Sequence, residues 1–297
     1  MRYYGVQNEV KSYLNRLQSE EGIEVSLGTV KTLNDRVEAL KKSGVWSQYG
    51  LGFNDRDADS YFQRATVRDA IGRFEVCLFV RGMKTLGLWQ NMVSWPMRSY
   101  QNAGTGSTVY SLGGLGTFDG TLFNAVTWGT DGMTDFGFNG AANITLPTIS
   151  LTSGGFTFIT NHSYVADNNR IYDVQGGSGV QVGLWANYAG QVYFDTINSV
   201  GGVNRLVGNG GVIPTAFNFL ETIATPTGSK LYRNGISKLS DNVSLNNIKS
   251  FAPLKIGFSA TYTTLKIPFV ALLNIGDLTT STYNLYKNTL GNGLGLT

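Results

Sequence analysis

Three aromatic side chains lie close together in the segment GLWANYAGQVYFD, at Trp185, Tyr188 and Tyr193. Flat aromatic rings stack on sugar rings as well as on one another. The segment is therefore a candidate glycan-binding site. In a β-sheet protein the same residues also serve as core or interface packing, and the sequence leaves both interpretations open.

Isolated aspartates in the second half of the chain are the candidate calcium ligands. Calcium is held by several oxygen atoms at once, and its ligands are usually spaced closely along one loop. The aspartates here do not follow such a spacing, so we expect no bound metal ion and no other cofactor. The residues concerned are Asp131, Asp135, Asp167, Asp173 and Asp195.

Residue types suited to catalysis are sparse. Glycoside hydrolysis uses a pair of carboxylates, but Glu221 stands without a second acid in the stretch FLETIA. His162 is the only histidine, so it belongs to no multi-histidine metal site, and a structural role is the simpler interpretation. Cys77 lies in an apolar helical run and is predicted to be a small core residue. We therefore predict a protein that is not an enzyme, with hydrolysis centred on Glu221 as the competing hypothesis.

Composition argues against several other classes. The formal net charge of +3 is too small to indicate nucleic-acid binding. No apolar run approaches the length of a membrane span, and the first residues do not resemble a signal peptide. The single cysteine suits a reducing compartment. We expect neither nucleic acid nor a membrane among the partners.

The two parts of the chain differ in composition. Residues 1–97 hold 13 of the 23 Lys and Arg and every Glu except Glu221, whereas 29 of the 38 Gly lie after residue 97. Charged, Glu-bearing sequence favours helices, and Gly, Thr, Asn and aromatic residues favour strands and turns. The sequence therefore predicts a helical region at 1–97 and a β domain at 98–297, joined by a small polar stretch at 101–108.

The helical region contains a degenerate duplication. The stretch VEALKKSGVW at 37–46 aligns with VRGMKTLGLW at 80–89, and YLNR aligns with YFQR further upstream. In the first copy Gly44 follows an amphipathic stripe where a left-handed residue would end a helix, and Gly87 stands at the aligned position of the second copy, whose helix is apolar on more than one face. We predict a positive φ at both glycines.

The β domain consists of short apolar or aromatic runs punctuated by Gly, Asn and Asp, at a spacing typical of sandwiches. Asn234 and Gly235 lie between two alternating runs in LYRNGISK, which predicts a type I′ hairpin. A second hairpin is predicted to turn near 187–190. These features indicate an α+β fold in which an antiparallel β-sandwich follows the helices.

The order of these motifs resembles two kinds of known protein. A strand followed by LYRNG, LKIG and IPFVALLNIGDLTTSTYNLYKN resembles the C-terminal half of concanavalin A-like, laminin-G-like jelly rolls. Those domains end in a short helix, for which Asp277 and Thr279 are candidate N-caps. The stretch from YFQRATVRDA to QNAGTGSTVYSLGGLGTFDGTLFN resembles virion structural proteins of tailed phages, in which a helical segment leads into such a domain.

The second resemblance implies a non-enzymatic virion component of the decoration or fibre type, assembled in the host cytoplasm. The helical region is then attached to other capsid or tail proteins, with Trp46, Trp89 and Trp95 as its candidate assembly surface. We expect a homo-oligomer, and a sandwich that folds without the helical region. The alternative is a receptor-binding adhesin that recognises host surface glycans through the aromatic residues of the sandwich.

Overall fold

The computed structural model describes most of the chain. It covers residues 5–49, 53–99, 104–124, 126–136, 142–152, 155–163, 169–175, 181–196, 205–208, 218–225, 228–241, 250–251, 254–257, 265–275 and 289. Over these residues the chain forms four α-helices, two short 3-10 helices and sixteen strands. These four α-helices precede all the strands, so the architecture is α+β, as predicted.

Three of the four described α-helices begin where a short polar side chain caps them. Ser26 accepts a hydrogen bond from the Thr29 amide, and Asp69 accepts one from the Gly72 amide. The α-helices are α1 (Asn8–Ser19), α2 (Leu27–Lys42), α3 (Arg56–Arg64) and α4 (Ala70–Thr85), and the 3-10 helices are Trp46–Tyr49 and Trp89–Asn91. Among the described helices, none has the length and apolar character needed to cross a membrane.

The helical region follows one plan twice. A short helix, a 16-residue helix, a glycine and a 3-10 helix succeed one another in each copy. Gly44 has a φ of 73° and Gly87 a φ of 70°, which confirms the predicted left-handed endings. After α4, the Leu88 amide donates to the Met83 carbonyl at 3.0 Å, the hydrogen bond that characterises a Schellman ending.

A lysine ties the parts of each copy together. Lys84 Nζ lies 2.7 Å from Asp55 Oδ1, 2.6 Å from Asp57 Oδ2 and 5.5 Å from the centre of the Trp89 ring. It thereby joins the end of α4 to the start of α3 and to the following 3-10 helix. The contacts of the first copy are Lys41 Nζ with Gln7 Oε1 (2.9 Å), with Glu9 Oε1 (2.9 Å) and with the Trp46 ring (5.8 Å).

The strands form two large antiparallel sheets. They are β1 (Met92–Pro96), β2 (Thr108–Val109), β3 (Gly120–Phe123), β4 (Asn143–Leu146), β5 (Ile149–Ser150), β6 (Phe156–His162), β7 (Asn169–Gln175), β8 (Gln181–Tyr188), β9 (Gln191–Thr196), β10 (Arg205–Gly208), β11 (Asn218–Thr225), β12 (Gly228–Arg233), β13 (Ile236–Asp241), β14 (Ser250–Phe251), β15 (Leu254–Ile256) and β16 (Phe269–Leu273). One sheet has the order β1-β16-β6-β11-β12-β13, and the other has the order β10-β9-β8-β7-β15-β4-β3-β2. Strands β5 and β14 form a separate pair.

The main core lies between the two sheets. The rings of Phe158 on β6 and Tyr172 on β7 approach to 4.0 Å between centroids. The Tyr172 hydroxyl lies 2.6 Å from the Thr222 hydroxyl across the sandwich, and both residues are buried. A buried hydroxyl is tolerated here because it has a partner.

The helices cover the outer face of the six-stranded sheet. One side of α4, which includes Phe74 and Leu78, belongs to the core of the first helical copy. Its other side, which includes Phe79, packs on the sheet, and the rings of Phe79 and Phe269 lie 5.6 Å apart. The two copies are therefore stacked in series on the sandwich.

The predicted boundary after residue 97 does not separate the helices from the sandwich. Met92–Pro96 is strand β1, which pairs with β16, and Trp95 lies in the core between the sheets. This short strand follows the second 3-10 helix directly, and all five of its residues are buried, so it lacks the alternation that would identify it. The sandwich therefore starts at residue 92.

Two hairpins turn where the sequence predicts. Asn234 and Gly235, with φ values of 48° and 81°, connect β12 to β13. Ala189 and Gly190, with φ values of 49° and 78°, connect β8 to β9. Both pairs have the two positive φ angles of a type I′ turn.

The predicted C-terminal helix, with Asp277 and Thr279 as its caps, lies outside the described residues. Thr289 is described, and it is helical and 2% exposed. Its side chain packs so close to Gly82 of α4 that a Cβ atom on that glycine would overlap it. A glycine at this position therefore lets Thr289 lie directly on α4.

Candidate functional site

The predicted glycan-binding aromatics lie on the hairpin of β8 and β9. Leu184 and Phe194 face the core. Since successive side chains of a strand alternate between faces, Trp185 and Tyr193 face outward. These two residues stand opposite each other in the register, and Val207 of β10 stands opposite Tyr193. The structure thus brings them together on the outer face of the eight-stranded sheet.

One corner of this face comprises the exposed Tyr188, Gln191, Arg205 and Val207 together with the half-buried Tyr193, and it is here called the β8–β10 corner. Tyr188 is 45% exposed and Val207 is 44% exposed. The Tyr188 and Tyr193 rings meet edge to face, with centroids 5.3 Å apart, and the Tyr193 hydroxyl donates to Gln191 Oε1 at 3.2 Å. The corner offers an accessible aromatic ring beside polar groups, which suits a sugar with apolar and hydroxyl-bearing faces.

Trp185 is not a free stacking platform. The guanidinium carbon of Arg170 lies 3.8 Å from the centre of its ring, and that of Arg205 lies 5.6 Å away. At the shorter distance the cation stacks on the indole. Of the three predicted aromatics, Tyr188 and Tyr193 belong to the corner, whereas Trp185 is engaged by two arginines.

Each of these arginines is bonded to a buried aspartate. Arg205 donates from Nε and Nη2 to the two oxygens of Asp195, at 2.5 and 2.8 Å. Arg170 Nη1 donates to Asp173 Oδ2 at 2.6 Å. The hydrogen bonds to Asp195 raise the pKa of Arg205, against the opposing effect of burial. Both pairs are charge-assisted hydrogen bonds, the strong kind.

A glycine lies between the two carboxylates. Asp173 stands opposite Gly183 across β7 and β8, and Gly183 stands opposite Asp195 across β8 and β9. A Cβ atom on Gly183 would lie 3.5 Å from Asp173 Oδ1 and 3.5 Å from Trp185 Cζ3. A side chain larger than alanine would therefore push against the ion pair and the indole.

The candidate calcium ligands are not brought together. Their partners are Arg170 for Asp173, Arg205 for Asp195, Lys266 for Asp131 (3.5 Å), and Thr127 with Thr134 for Asp135. Asp167 lies outside the described residues. Within the ranges that the structure describes, no group of three or more His, Cys, Asp or Glu side chains could hold a metal ion.

The tryptophans predicted as an assembly surface are core residues. Trp46, Trp89 and Trp95 are 7%, 3% and 0% exposed. Trp46 fills the core of the first helical copy, Trp89 fills the core between the second copy and the six-stranded sheet, and Trp95 donates from Nε1 to the Phe118 carbonyl at 2.8 Å. The prediction is wrong because each indole is enclosed by its own chain.

The residues considered for catalysis are buried as well. Glu221 is 0% exposed on β11. Burial lowers the pKa of His162 to about 3, so its ring is neutral near pH 7. Cys77 lies 3.1 Å from the Phe53 carbonyl, and burial raises the pKa of its thiol to about 12. These environments are those of structural groups rather than of nucleophiles or general acids that meet a ligand.

The two arginines of the site were not predicted from the sequence. Arg205 has a local signal, because Arg205 and Val207 flank the buried Leu206 in the pattern of a strand with one solvent face. Arg170 has none, because it meets Trp185 through an irregular register between β7 and β8. Only the pairing between strands brings the two arginine–aspartate pairs, Arg170 with Asp173 and Arg205 with Asp195, next to the Trp185 indole.

Solved structures with a similar fold include toxin binding domains and a sialidase. The botulinum neurotoxin serotype D binding domain is 11% identical, with 68% of this chain and 52% of that chain covered and a TM-score of 0.53. A structure of botulinum neurotoxin type C is 12% identical, with 69% and 52% covered and a TM-score of 0.53. A mutant of Trypanosoma rangeli sialidase that displays trans-sialidase activity is 11% identical, with 91% and 40% covered and a TM-score of 0.51.

The chain spans about half the length of the two neurotoxin structures. No protein-family model and no curated protein sequence matches the chain. At 11–12% identity the similarity concerns the fold alone. The fold is a β-sandwich, which is the part of the predicted resemblance that the comparisons support.

Proposed function

We propose that the protein is a non-enzymatic adhesin that binds host-surface glycans through the β8–β10 corner. The observation that carries this proposal is the exposed Tyr188 ring, held edge to face against Tyr193 beside the charged Arg205. An exposed aromatic ring next to fixed hydrogen-bonding groups is a common arrangement of ligand sites. The burial of Glu221, His162 and Cys77 supports binding without catalysis.

One protein that shares the fold over part of its length interacts with gangliosides. Botulinum neurotoxin type C depends on interaction with two ganglioside molecules to enter cells. The match covers 52% of that chain, so the glycan site proposed here rests on this chain's own residues.

A glycan array tests the proposal. The full chain should bind a subset of saccharides, and Tyr188→Ala should reduce that binding by about tenfold, which corresponds to the loss of one stacking contact. Phe123→Ala is the matched control, because Phe123 is 53% exposed on the same outer face of the same sheet, at β3. Binding that is absent, or equally reduced by both substitutions, would exclude the corner as a glycan site.

We also propose that the adhesin belongs to a tailed-phage particle, assembled in the host cytoplasm, in which it forms a homo-oligomer with other capsid or tail proteins as partners. The support is the resemblance of residues 61–124 to virion structural proteins of such phages. Mass spectrometry of purified particles should detect the chain at a fixed ratio to the major capsid or tail protein. If the chain is absent from particles but binds glycans normally, the adhesin function stands and the virion location is wrong. A constant ratio together with a blank glycan array would instead favour the structural role.

A further inference from the structure

The ion pairs behind the β8–β10 corner are layered. The side chains of Asp195 and Asp173 are 0% and 1% exposed, whereas those of Arg205 and Arg170 are 35% and 17% exposed. Each pair is neutral as a whole, but the aspartate is buried and the arginine lies between it and the solvent. A ligand that approaches the sheet therefore meets guanidinium groups rather than carboxylates.

Arg205 keeps one edge for a ligand. Its bonds to Asp195 use Nε and Nη2, so Nη1 is the nitrogen turned away from that carboxylate. The guanidinium carbon lies 5.0 Å from the Tyr193 ring, beside the exposed Tyr188. A planar guanidinium fixed on one edge is preorganised to donate hydrogen bonds to a carboxylate or a sulfate from the other.

Further charge on this face has the same sign. Lys255 on β15 stands opposite Asp173 in the register, on the same outer face. The described charged side chains of this face on β7, β9, β10 and β15 are Arg170, Arg205, Lys255, Asp173 and Asp195. Cations outnumber anions among them, and the two anions are the buried members.

Building on the proposed function, we infer that the β8–β10 corner selects saccharides that carry an anionic group, a carboxylate or a sulfate ester. The Nη1 edge of Arg205 binds the anionic group while a neutral ring of the saccharide stacks on Tyr188. Asp195 acts as a positioning residue, because it holds the guanidinium in place without touching the ligand.

The test uses matched triplets of immobilised oligosaccharides that share one backbone. One member is neutral, one carries a uronic acid carboxylate and one carries a sulfate ester. The full chain should bind at least one acidic member about 10- to 100-fold more tightly than the neutral member, as a charge-assisted hydrogen bond would provide. The preference should weaken with added salt, and the two acidic arms identify which anion is recognised.

Three variants assign the preference to its residues. Arg205→Gln should bring the acidic members down to the affinity of the neutral one. Asp195→Asn should weaken acidic binding on its own, yet add little in the Arg205→Gln background, which a purely structural role would not produce. Lys255→Gln, which removes a cation of the same face away from the corner, should change affinity by less than about twofold. Thermal unfolding of each variant checks its fold, and Arg205→Gln decides the matter if Asp195→Asn does not fold.

Equal binding of neutral and acidic members would overturn this inference and leave the proposed glycan binding intact. An acidic preference that survives Arg205→Gln would also overturn it. Absence of binding to every member of every triplet would defeat the proposed function itself.

Discussion

Thr66 follows α3 with a φ of 51°, a left-handed conformation that β-branched residues rarely adopt. The Val67 amide donates to the Phe62 carbonyl at 3.1 Å, so Thr66 occupies the position where helices usually end on glycine. No sequence signal marks this strain, in contrast to Gly44 and Gly87, whose residue type predicts the conformation. Residue type therefore predicts a left-handed helix ending only where that residue is glycine, which adopts a positive φ without strain.

Thr66→Gly should stabilise the protein. Relief of the left-handed strain stabilises the folded state by about 1–2 kcal/mol. The greater backbone entropy of glycine in the unfolded chain offsets about half of that gain. We expect the free energy of unfolding in urea to rise by about 0.5–1 kcal/mol. The same change at Thr32, inside α2, should lower it by a few tenths of a kcal/mol, because glycine is the poorer helix former there. A decrease at Thr66 would show that the threonine makes compensating contacts.

His162 should make stability depend on pH. Its pKa is lowered by burial from 6.5 to about 3, so below pH 6.5 the unfolded chain binds a proton that the folded chain does not. The free energy of unfolding therefore falls as the pH falls through this window, by about 2 kcal/mol between pH 7.5 and pH 5. His162 is the only histidine, and carboxylates titrate mostly at lower pH. Urea unfolding should show that His162→Gln lacks this dependence, and an unchanged slope would contradict the assignment.

At the scale of elements, the two helical copies differ in what they offer to a neighbour. Helix α4 receives the first copy through an apolar stripe that comprises Ala70, Phe74 and Leu78. The corresponding positions of α2 are Leu27, Lys31 and Asp35. Lys31 and Asp35 are exposed and form a salt bridge at 2.5 Å. The first copy therefore ends the stack with a polar face, as terminal repeats do.

Lys31→Phe combined with Asp35→Leu should convert this terminal face into one that resembles α4. With Leu27 already 67% exposed, the variant presents a continuous apolar stripe. Light scattering should show a larger mass than that of the wild-type chain at the same concentration. Lys31→Ala combined with Asp35→Ala removes the same charges without a large apolar surface, and it should behave as the wild type does. Association of both variants would point to charge loss rather than to the stripe.

Elements with local signals are the predictable ones. The caps and apolar stripes of α2 and α4 and the Asn234-Gly235 turn are each encoded within a few residues. Strand β1 is not, because its five residues are all buried and follow a 3-10 helix without a linker. Its identity as a strand depends on pairing with β16, at the far end of the chain.

For the whole molecule, helices and sandwich share one core. Met83, Leu88 and Trp89 of the second copy form a single buried cluster with Phe219 and Phe269 of the six-stranded sheet. The sequence predicts that the sandwich folds alone, which requires residues 98–297 to complete their own hydrophobic core. Removal of the helices would instead uncover this cluster and take β1 from the sheet edge.

The full chain should therefore unfold in one cooperative transition in calorimetry, and a truncated chain of residues 105–297 should aggregate or lack such a transition. The control is the full chain with a protease site inserted between Thr105 and Gly106, both exposed. After cleavage the two pieces should remain associated in size-exclusion chromatography. If the truncated chain of residues 105–297 is soluble and unfolds cooperatively, the sandwich folds independently of the helices and this prediction is wrong.

The site is only partly predictable at this scale. Tyr188 and Tyr193 are neighbours because one hairpin joins their strands, which the sequence indicates. Arg205 reaches them from a third strand, and its partner Asp195 is recognisable only once β9 and β10 are paired. The tryptophan prediction was wrong because residue type does not reveal whether an indole faces its own core or a partner.

The central claim, that glycans bind at the β8–β10 corner, is tested most directly by a crystal structure of the full chain with a saccharide selected on the array. We predict a sugar ring in contact with Tyr188 and its anionic group within hydrogen-bond distance of Arg205. A competing location is the cavity of about 460 Å³ beside α1 and α4 that is lined by Tyr13, Phe53 and Arg81. A saccharide bound there, with the corner empty, would contradict the account.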